Sequence, residues 1–249
     1  MRDFVPGLAL WIGLLFALSA AAAVPVCKSP PLSILVGVQK PPYIEVATQQ
    51  GYELELLRQV GLGMRRCVSF LHVPNGRLLG QFLEGKADLV SLQRDTPAGL
   101  YATLPYIRYE NVVIVREKDA KTVTQLADLS GRRVMAFQNA QRFLSAEYRQ
   151  QVPTFASYLE VVEQHQLPSL LRKNRVDALV MDRNIFAHYA RQTAAGESLV
   201  QLPLLGVNQY HLLGRDEKLV RRFDQALQEF RQSPAFVQLQ LKYFLSANQ

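Results

Sequence analysis

The sequence predicts an α/β protein built as two α/β lobes with largely parallel sheets. Two observations carry this expectation. Short apolar runs of strand length alternate with segments of helical periodicity, the order that gives parallel strands covered by helices. One phrase also occurs twice: Phe82-Leu83-Glu84-Gly85-Lys86-Ala87-Asp88-Leu89 is answered by Leu171-Arg172-Lys173-Asn174-Arg175-Val176-Asp177-Ala178. Each copy reads as a helix end, a left-handed turn, a basic residue, and an Asp opening a buried strand. Gly85 and Asn174 are residue types that tolerate positive φ after a helix. Lys86 and Arg175 set a cation at the helix C-terminus, where the dipole favours it. A ligand cleft between two lobes is a common functional design.

The elements follow in order. After Pro30-Pro31, the continuous apolar run Ser33–Val38 reads as a buried parallel strand. Pro41-Pro42 break it and leave Tyr43 on a loop. Tyr52–Leu62 has apolar residues at helical spacing and stops at Gly61 and Gly63. Val68–Val73 is a strand, Leu78–Leu83 a helix, and Asp88–Leu92 a strand followed by the polar loop Gln93–Gly99. Val112–Val115 is a strand crossing into the second lobe. There, Leu126–Leu129 and Gly131-Arg132-Arg133 lead into strand Val134–Phe137. Gln138-Asn139-Ala140 turns into a helix over Gln141–Gln150. Strand Leu159–Val162, helix Leu167–Lys173, strand Ala178–Met181 and helix Asp182–Thr193 come next. Leu199–Leu202 and Tyr210–Leu213 are short strands, the second returning to the first lobe. Asp216–Phe230 and Pro234–Leu245 are amphipathic helices, with a proline at the start of the second.

The first stretch lies outside this fold. Residues 4–23 carry no charge, follow Arg2, and end in small residues. That is the form of a secretory signal peptide over 1–23, with cleavage after Ala23 and export to the periplasm. An uncleaved N-terminal anchor is the alternative. Val26 stands where a lipoprotein site at Cys27 would need a small residue. The chain carries a net charge of +7, but its basic residues are scattered without interleaved aromatics, which argues against nucleic-acid binding. The two cysteines, Cys27 and Cys67, both fall in the exported part. In an oxidising compartment a single pair most often bridges. Four scattered histidines and no Cys-x-x-Cys make a metal site a poor alternative. No cofactor motif occurs.

Several pieces, in order, carry a family resemblance: ILVGVQKPPY at 34–43, GYELELL at 51–57, LEGKADLV at 83–90 and LPYIRYENVVIVRE at 104–117. DLSGRRVMAFQ at 128–138, RVDALVMD at 175–182 and LKYFL at 241–245 complete the series. Together they resemble the bacterial extracellular solute-binding proteins of family 3, the amino-acid type that serves ABC transporters. The resemblance implies a periplasmic-binding-protein-like type II fold, two α/β lobes joined by a two-strand hinge. It divides the chain into a signal peptide at 1–23, a first lobe at 24–112 plus 206–249, and a second lobe at 113–205. It implies binding and not turnover: a monomer captures a small solute between its lobes and presents the closed form to an inner-membrane permease or sensor protein.

The resemblance also nominates site residues, and two of them depart from the family pattern. Members that hold α-amino acids usually carry an Arg in a T-x-x-R stretch, whose guanidinium clamps the ligand carboxylate. Here the stretch is Thr96-Pro97-Ala98-Gly99, so Gly99 takes the arginine's place. Arg94 either reaches the cleft instead or lies on solvent. In the second lobe the family's Q-x-G-T or Q-x-G-S turn becomes Gln138-Asn139-Ala140-Gln141. Gln138 and Asn139 either offer amide hydrogen bonds or Asn139 is only a helix cap. Asp182 matches the acid that meets a ligand's ammonium, or else caps its helix. Tyr43 matches an aromatic that often lids the ligand. Asp88 and Asp177 read as structural, bonding backbone groups at turns. The ligand-binding candidates are therefore Tyr43, Arg94, Thr96, Gln138, Asn139 and Asp182.

Two other function classes stand beside the binding protein. One is a ligand-independent interaction or sensor module. The other is a dehydratase-type enzyme on the same fold, with Glu45, Glu110 and Asp182 as its candidate acids, against which the missing arginine weighs. No G-x-S-x-G, P-loop or H-E-x-x-H occurs to support any other catalysis.

Overall fold

A computed structural model describes residues 30–193 and 196–245. The expected signal peptide over 1–23 and Cys27, one half of the expected Cys27–Cys67 bridge, lie outside the described residues.

The chain opens with β1 (Leu32–Val36), α1 (Tyr52–Gly63), β2 (Val68–His72), α2 (Leu78–Leu83) and β3 (Leu89–Gln93). A two-residue strand, β4 (Tyr101–Ala102), precedes the long β5 (Ile107–Arg116). Then come β6 (Arg133–Phe137), α3 (Ala140–Phe143), α4 (Ala146–Gln151), β7 (Ser157–Val161), α5 (Leu167–Arg172), β8 (Ala178–Asp182) and α6 (Arg183–Gln192). The chain closes with β9 (Leu199–Leu202), β10 (Val207–Gly214), α7 (Glu217–Arg231), α8 (Pro234–Gln240) and a π-turn, Leu241–Leu245.

One strand path runs through both lobes, in the order β2-β1-β3-β10-β5-β8-β6-β7. β2, β1 and β3 are parallel neighbours, as are β8, β6 and β7. Between the two groups stands the antiparallel pair of β5 and β10. Residues Ile107–Glu110 of β5 pair with Val207–Tyr210 of β10, and Asn111–Ile114 then pair with β8. β10 continues to pair with β3 and β4 through His211–Gly214. Each of these strands thus serves both halves of the sheet, the connection expected of a two-strand hinge.

Local sequence explains the elements well. α1 buries Leu54, Leu57, Val60 and Gly61 on one face, with Glu53 and Glu55 in its first turn, where the dipole favours acids. Gly51 before it has φ +120°, and a Cβ there would lie 2.2 Å from the Tyr43 carbonyl oxygen; only glycine fits. α7 is capped by Asp216, which accepts from the Lys218 N–H at 2.8 Å, and it buries Val220, Phe223, Leu227 and Phe230 along one stripe. α8 begins with Pro234 behind the cap Ser233. The apolar face shared by α1, α7 and α8 continues into that of α5 and α6, so one core runs through both lobes. Smaller cores lie on the opposite faces, one under α2 and one under α4.

The sequence reading needs one correction here. The helix expected over Gln141–Gln150 is two short helices, because Leu144 is extended and Ser145 starts a new one by accepting from the Tyr148 N–H at 3.2 Å. A serine inside a helical pattern competes for the backbone in this way. The hinge strands are also longer than the apolar runs that marked them, since β5 and β10 continue through polar residues, of which Arg108 and Gln209 are exposed and Asn111 and Arg116 are buried.

Candidate functional site

The segments that follow β1 and β3 meet those at the ends of β6 and β8, and the predicted site residues fall there. Tyr43, after the Pro41-Pro42 turn, is buried, and its hydroxyl donates to Asp182 Oδ1 at 3.0 Å. The Asn184 side chain donates to the same hydroxyl at 2.9 Å. Asp182 ends β8 and caps α6: Oδ1 also accepts from the N–H groups of Asn184 (2.9 Å) and Ile185 (3.1 Å), and Oδ2 from that of Glu110 (3.0 Å). Four donors of the protein's own occupy this carboxylate, which is 3 % exposed. Burial pushes its pKa up to about 6, against the pull of those four hydrogen bonds.

Beside this pair lies a buried cluster that sequence reasoning missed. Glu53, fully buried in the first turn of α1, accepts from the hydroxyls of Tyr106 at 2.6 Å and Tyr109 at 3.1 Å. Lys40, just before the Pro-Pro turn, holds its ammonium 3.8 Å from Glu53 Oε2 and 4.4 Å from the centre of the Tyr109 ring. That ring contact is a cation–π interaction. Among the described residues the Lys40 ammonium has no hydrogen bond of ordinary length, although its side chain is only 16 % exposed. Burial lowers its pKa, opposed by the charges of Glu53 and Asp182. Burial likewise raises the tyrosines Tyr43, Tyr106 and Tyr109 well above the usual phenol value, so all three remain protonated donors.

The remaining candidates lie on the rim. Arg94 is exposed, and its Nη1 donates to the Phe143 carbonyl at 3.1 Å, joining the loop after β3 to the end of α3. Its charge acts on Tyr210, on which Asp182 acts as well. Thr96 is exposed and Gly99 is in the left-handed region with φ +80°. Gln138 and Asn139 are exposed at the end of β6. Asn139 stands before α3 with φ +64° and makes no side-chain cap. Instead, the Glu160 carboxylate takes the N–H groups there, from Asn139 at 2.7 Å and from Gln141 at 3.0 Å. The Tyr158 hydroxyl donates to the same carboxylate at 2.7 Å. The structure thus brings Tyr43 and Asp182 into direct contact and sets Arg94 against the helix that Asn139 begins. Thr96 and Gln138 make no side-chain contact with either group among the described residues. The positive φ at Asn139 was legible in its residue type; Glu160, on the neighbouring strand, carried no local signal.

No protein-family model matches the sequence, and no curated protein matches it. Solved structures match over nearly the whole described chain. The GluR0 ligand-binding core in complex with L-glutamate superposes with a TM-score of 0.70 at 16 % identity, covering 87 % of this chain and 99 % of that one. An amino acid ABC transporter substrate-binding protein from Streptococcus pneumoniae, bound to L-arginine, gives 0.67 at 17 %, covering 88 % and 96 %. A histidine kinase sensor domain with similarity to periplasmic binding proteins gives 0.66 at 19 %, covering 86 % and 96 %. By its strand order, its antiparallel hinge pair and these likenesses, the chain has the two-lobed, type II periplasmic-binding-protein-like fold of the bacterial amino-acid-type solute-binding proteins.

Proposed function

We propose that the exported chain captures a small polar solute, amino-acid-like or a derivative, between a first lobe at 24–112 plus 206–249 and a second at 113–205. It then presents the closed form to an inner-membrane permease or sensor. The observation that carries this reading is the Lys40 ammonium, buried beside Glu53 and the Tyr109 ring and within the influence of Asp182 from the second lobe. Arg94 adds positive charge in the loop where Gly99 stands in place of the family's arginine. Asp182 is saturated by the protein's own donors, and Glu160 fills the N–H groups at α3. Those are the two places where the resemblance expects an α-amino acid's ammonium and carboxylate. The solute this arrangement suits is therefore an organic anion or amino-acid derivative held by Lys40 and Arg94, rather than a standard α-amino acid.

A thermal-shift panel of amino acids, polyamines, organic acids and peptidoglycan fragments tests this. A specific solute at about 100 times its Kd stabilises by roughly 2.7 kcal/mol. The expected result is a rise confined to anionic solutes and abolished in Lys40→Met and Arg94→Gln. A flat panel would overturn it. A second reading, a ligand-independent interaction module, is favoured by contacts that join the lobes through the protein's own side chains, among them Tyr43 to Asp182 and Asn184, Glu110 to Arg183 and Arg94 to Phe143. Under that reading the chain co-purifies with a membrane receptor and its shape is indifferent to solutes.

A further inference from the structure

A cavity of about 630 Å³ flanks the hinge on the side covered by α8. Lys40, Arg94 and Asp182 do not line it, although Tyr43 and Asn184 belong both to its wall and to the site described above, and its volume falls within the range of small-molecule sites, roughly 300–1,000 Å³. Its walls come from both lobes and from the hinge itself: α1, α7 and α8 on one side, α6 and β9 on the other, and β5 and β10 between them.

The chemistry of the wall is that of a receptor for an anion. Three guanidiniums line it, those of Arg108, Arg183 and Arg231, against one carboxylate, Glu110. Arg183 is already matched, since its Nη1 holds both Glu110 oxygens at 3.0 and 2.9 Å. Arg231 spends Nη2 on the carbonyls of Pro105 (2.5 Å) and Tyr106 (3.3 Å). Asp224 and the Tyr52 phenol act on it electrostatically, but among the described residues it has no ion-pair partner within 4.0 Å. Arg108, on β5, is exposed and has none either. Both guanidiniums line the cavity together with Tyr52, whose phenol feels the charge of each.

The rest of the wall is aromatic. The Tyr52 and Phe244 rings stand 4.5 Å apart at 49°, and Phe236 adds a third face from α8. Gln201, from β9, contributes an amide whose buried Oε1 has no hydrogen-bond partner. Cations without ion-pair partners in a wall that also carries aromatic rings and an unsatisfied acceptor fit a molecule with an anionic head, a flat apolar body and a hydroxyl.

We infer that this cavity is a second ligand site, taking a small aromatic carboxylate, and that its occupant acts on the hinge. A ligand held between Arg108 on a hinge strand, Arg231 on the first lobe and the β9–α6 wall of the second touches every part that must move when the lobes rotate. Such contacts cannot be equal in two lobe arrangements, and a ligand shifts an equilibrium by its differential affinity for the two states. Linkage then requires that a solute in the cleft and an anion at the hinge change each other's affinity by the same factor.

The test is a calorimetric titration of the exported chain with 4-hydroxybenzoate, using benzylammonium and benzyl alcohol as the cationic and neutral controls. Saturable binding of the carboxylate is expected, with neither control binding. Affinity should fall about tenfold in Arg108→Gln, the loss of one charge-assisted contact, and remain unchanged in Lys86→Gln, an exposed cation that does not line the cavity. Arg108→Gln carries the test because that side chain is exposed and holds no other bond, so folding is not at stake. Arg231→Gln should weaken binding too, with a lower melting temperature from its lost carbonyl contacts. Two results overturn the inference: no saturable binding at millimolar carboxylate, or binding weakened by Arg94→Gln or Lys40→Met and untouched by Arg108→Gln. The second would place the anion in the cleft and leave the proposed solute-binding role standing, so the two ideas fail separately.

Discussion

Asp182 shows how a residue legible in a motif can acquire a different set of partners in the fold. Its position at the end of RVDALVMD marked it for ligand contact or for capping. In the structure it is a cap that also ties β5 to Tyr43. Burial raises its pKa to about 6 from an ordinary carboxylate value of 3.8. The folded protein therefore holds this proton more tightly than the unfolded chain between about pH 4 and 6. The stabilising contribution is complete below that window and is lost as pH rises through the folded pKa. Unfolding free energy should accordingly carry a component that declines from pH 4 to 6 in the wild type and is absent in Asp182→Asn. Denaturant titrations at a series of pH values measure it, and parallel curves for the two proteins would refute it. At pH 7 the same variant should also lose about 1–3 kcal/mol. An amide NH₂ in place of Oδ2 would face the Glu110 N–H and leave that donor unpaired. By contrast, nothing near Lys40, Glu53 or Glu160 in the sequence announced their roles. Their partners lie on distant elements, as with Glu53 and Tyr106, and a pattern read along the chain does not see contacts of that range.

At the scale of elements, the repeated phrase proves to be one device used twice. Gly85 and Asn174 both take positive φ, at +84° and +55°. Asp88 then accepts from the Ser33 N–H at 2.8 Å and Asp177 from the Arg133 N–H at 3.0 Å. Each Asp also donates its own N–H to the carbonyl of that same residue. In both lobes, then, the Asp before a buried strand locks the start of the next strand over. That the backbone each Asp bonds lies 55 and 44 residues away, and not in its own turn, could not be seen along the chain, but the turn and its positive φ were legible because turn chemistry is local. What the second copy adds was not: Asp177 also binds the side chain of Arg133 at 2.8 Å and that of the buried Arg116 at 3.3 Å. Those guanidiniums hold its carboxyl well below the usual carboxylate range, the Arg133 hydrogen bond first among the causes. A depressed folded pKa gives stability that is present above the unfolded pKa and is lost as pH falls, the reverse of Asp182. Asp177→Asn should therefore cost about 2–4 kcal/mol at pH 7, since it leaves the buried Arg116 with less compensation. Asp88→Asn, with no arginine to strand, should cost less. Thermal unfolding of the two variants at pH 7 checks the ranking, and the deficit of Asp177→Asn should narrow in acid.

For the whole molecule, the question is what holds the lobes in their arrangement. One apolar core runs across both lobes, and β5 and β10 fix the hinge, but neither prevents rotation about it. Between the loops that face each other, the Tyr43–Asp182 bond lies close to the hinge. The Arg94–Phe143 bond joins loops that belong to neither hinge strand. A contact away from the axis has the greater leverage on rotation, and Arg94 makes only this one bond to the second lobe. It is a charge-assisted hydrogen bond in an exposed place, worth about 1 kcal/mol, which is roughly a fivefold change in a two-state equilibrium. Arg94→Ala should accordingly shift the protein toward a more open arrangement while leaving its unfolding free energy within about 0.5 kcal/mol, as is usual for surface substitutions. Small-angle scattering then gives a larger radius of gyration for Arg94→Ala than for the wild type, and Arg108→Gln, away from this contact, gives none of the change. If the variant scatters as the wild type does, the contacts that remain near the hinge, Tyr43 with Asp182 and Asn184 and Glu110 with Arg183, set the lobe angle. Arg94 would then be free to serve a ligand without first giving up a structural bond.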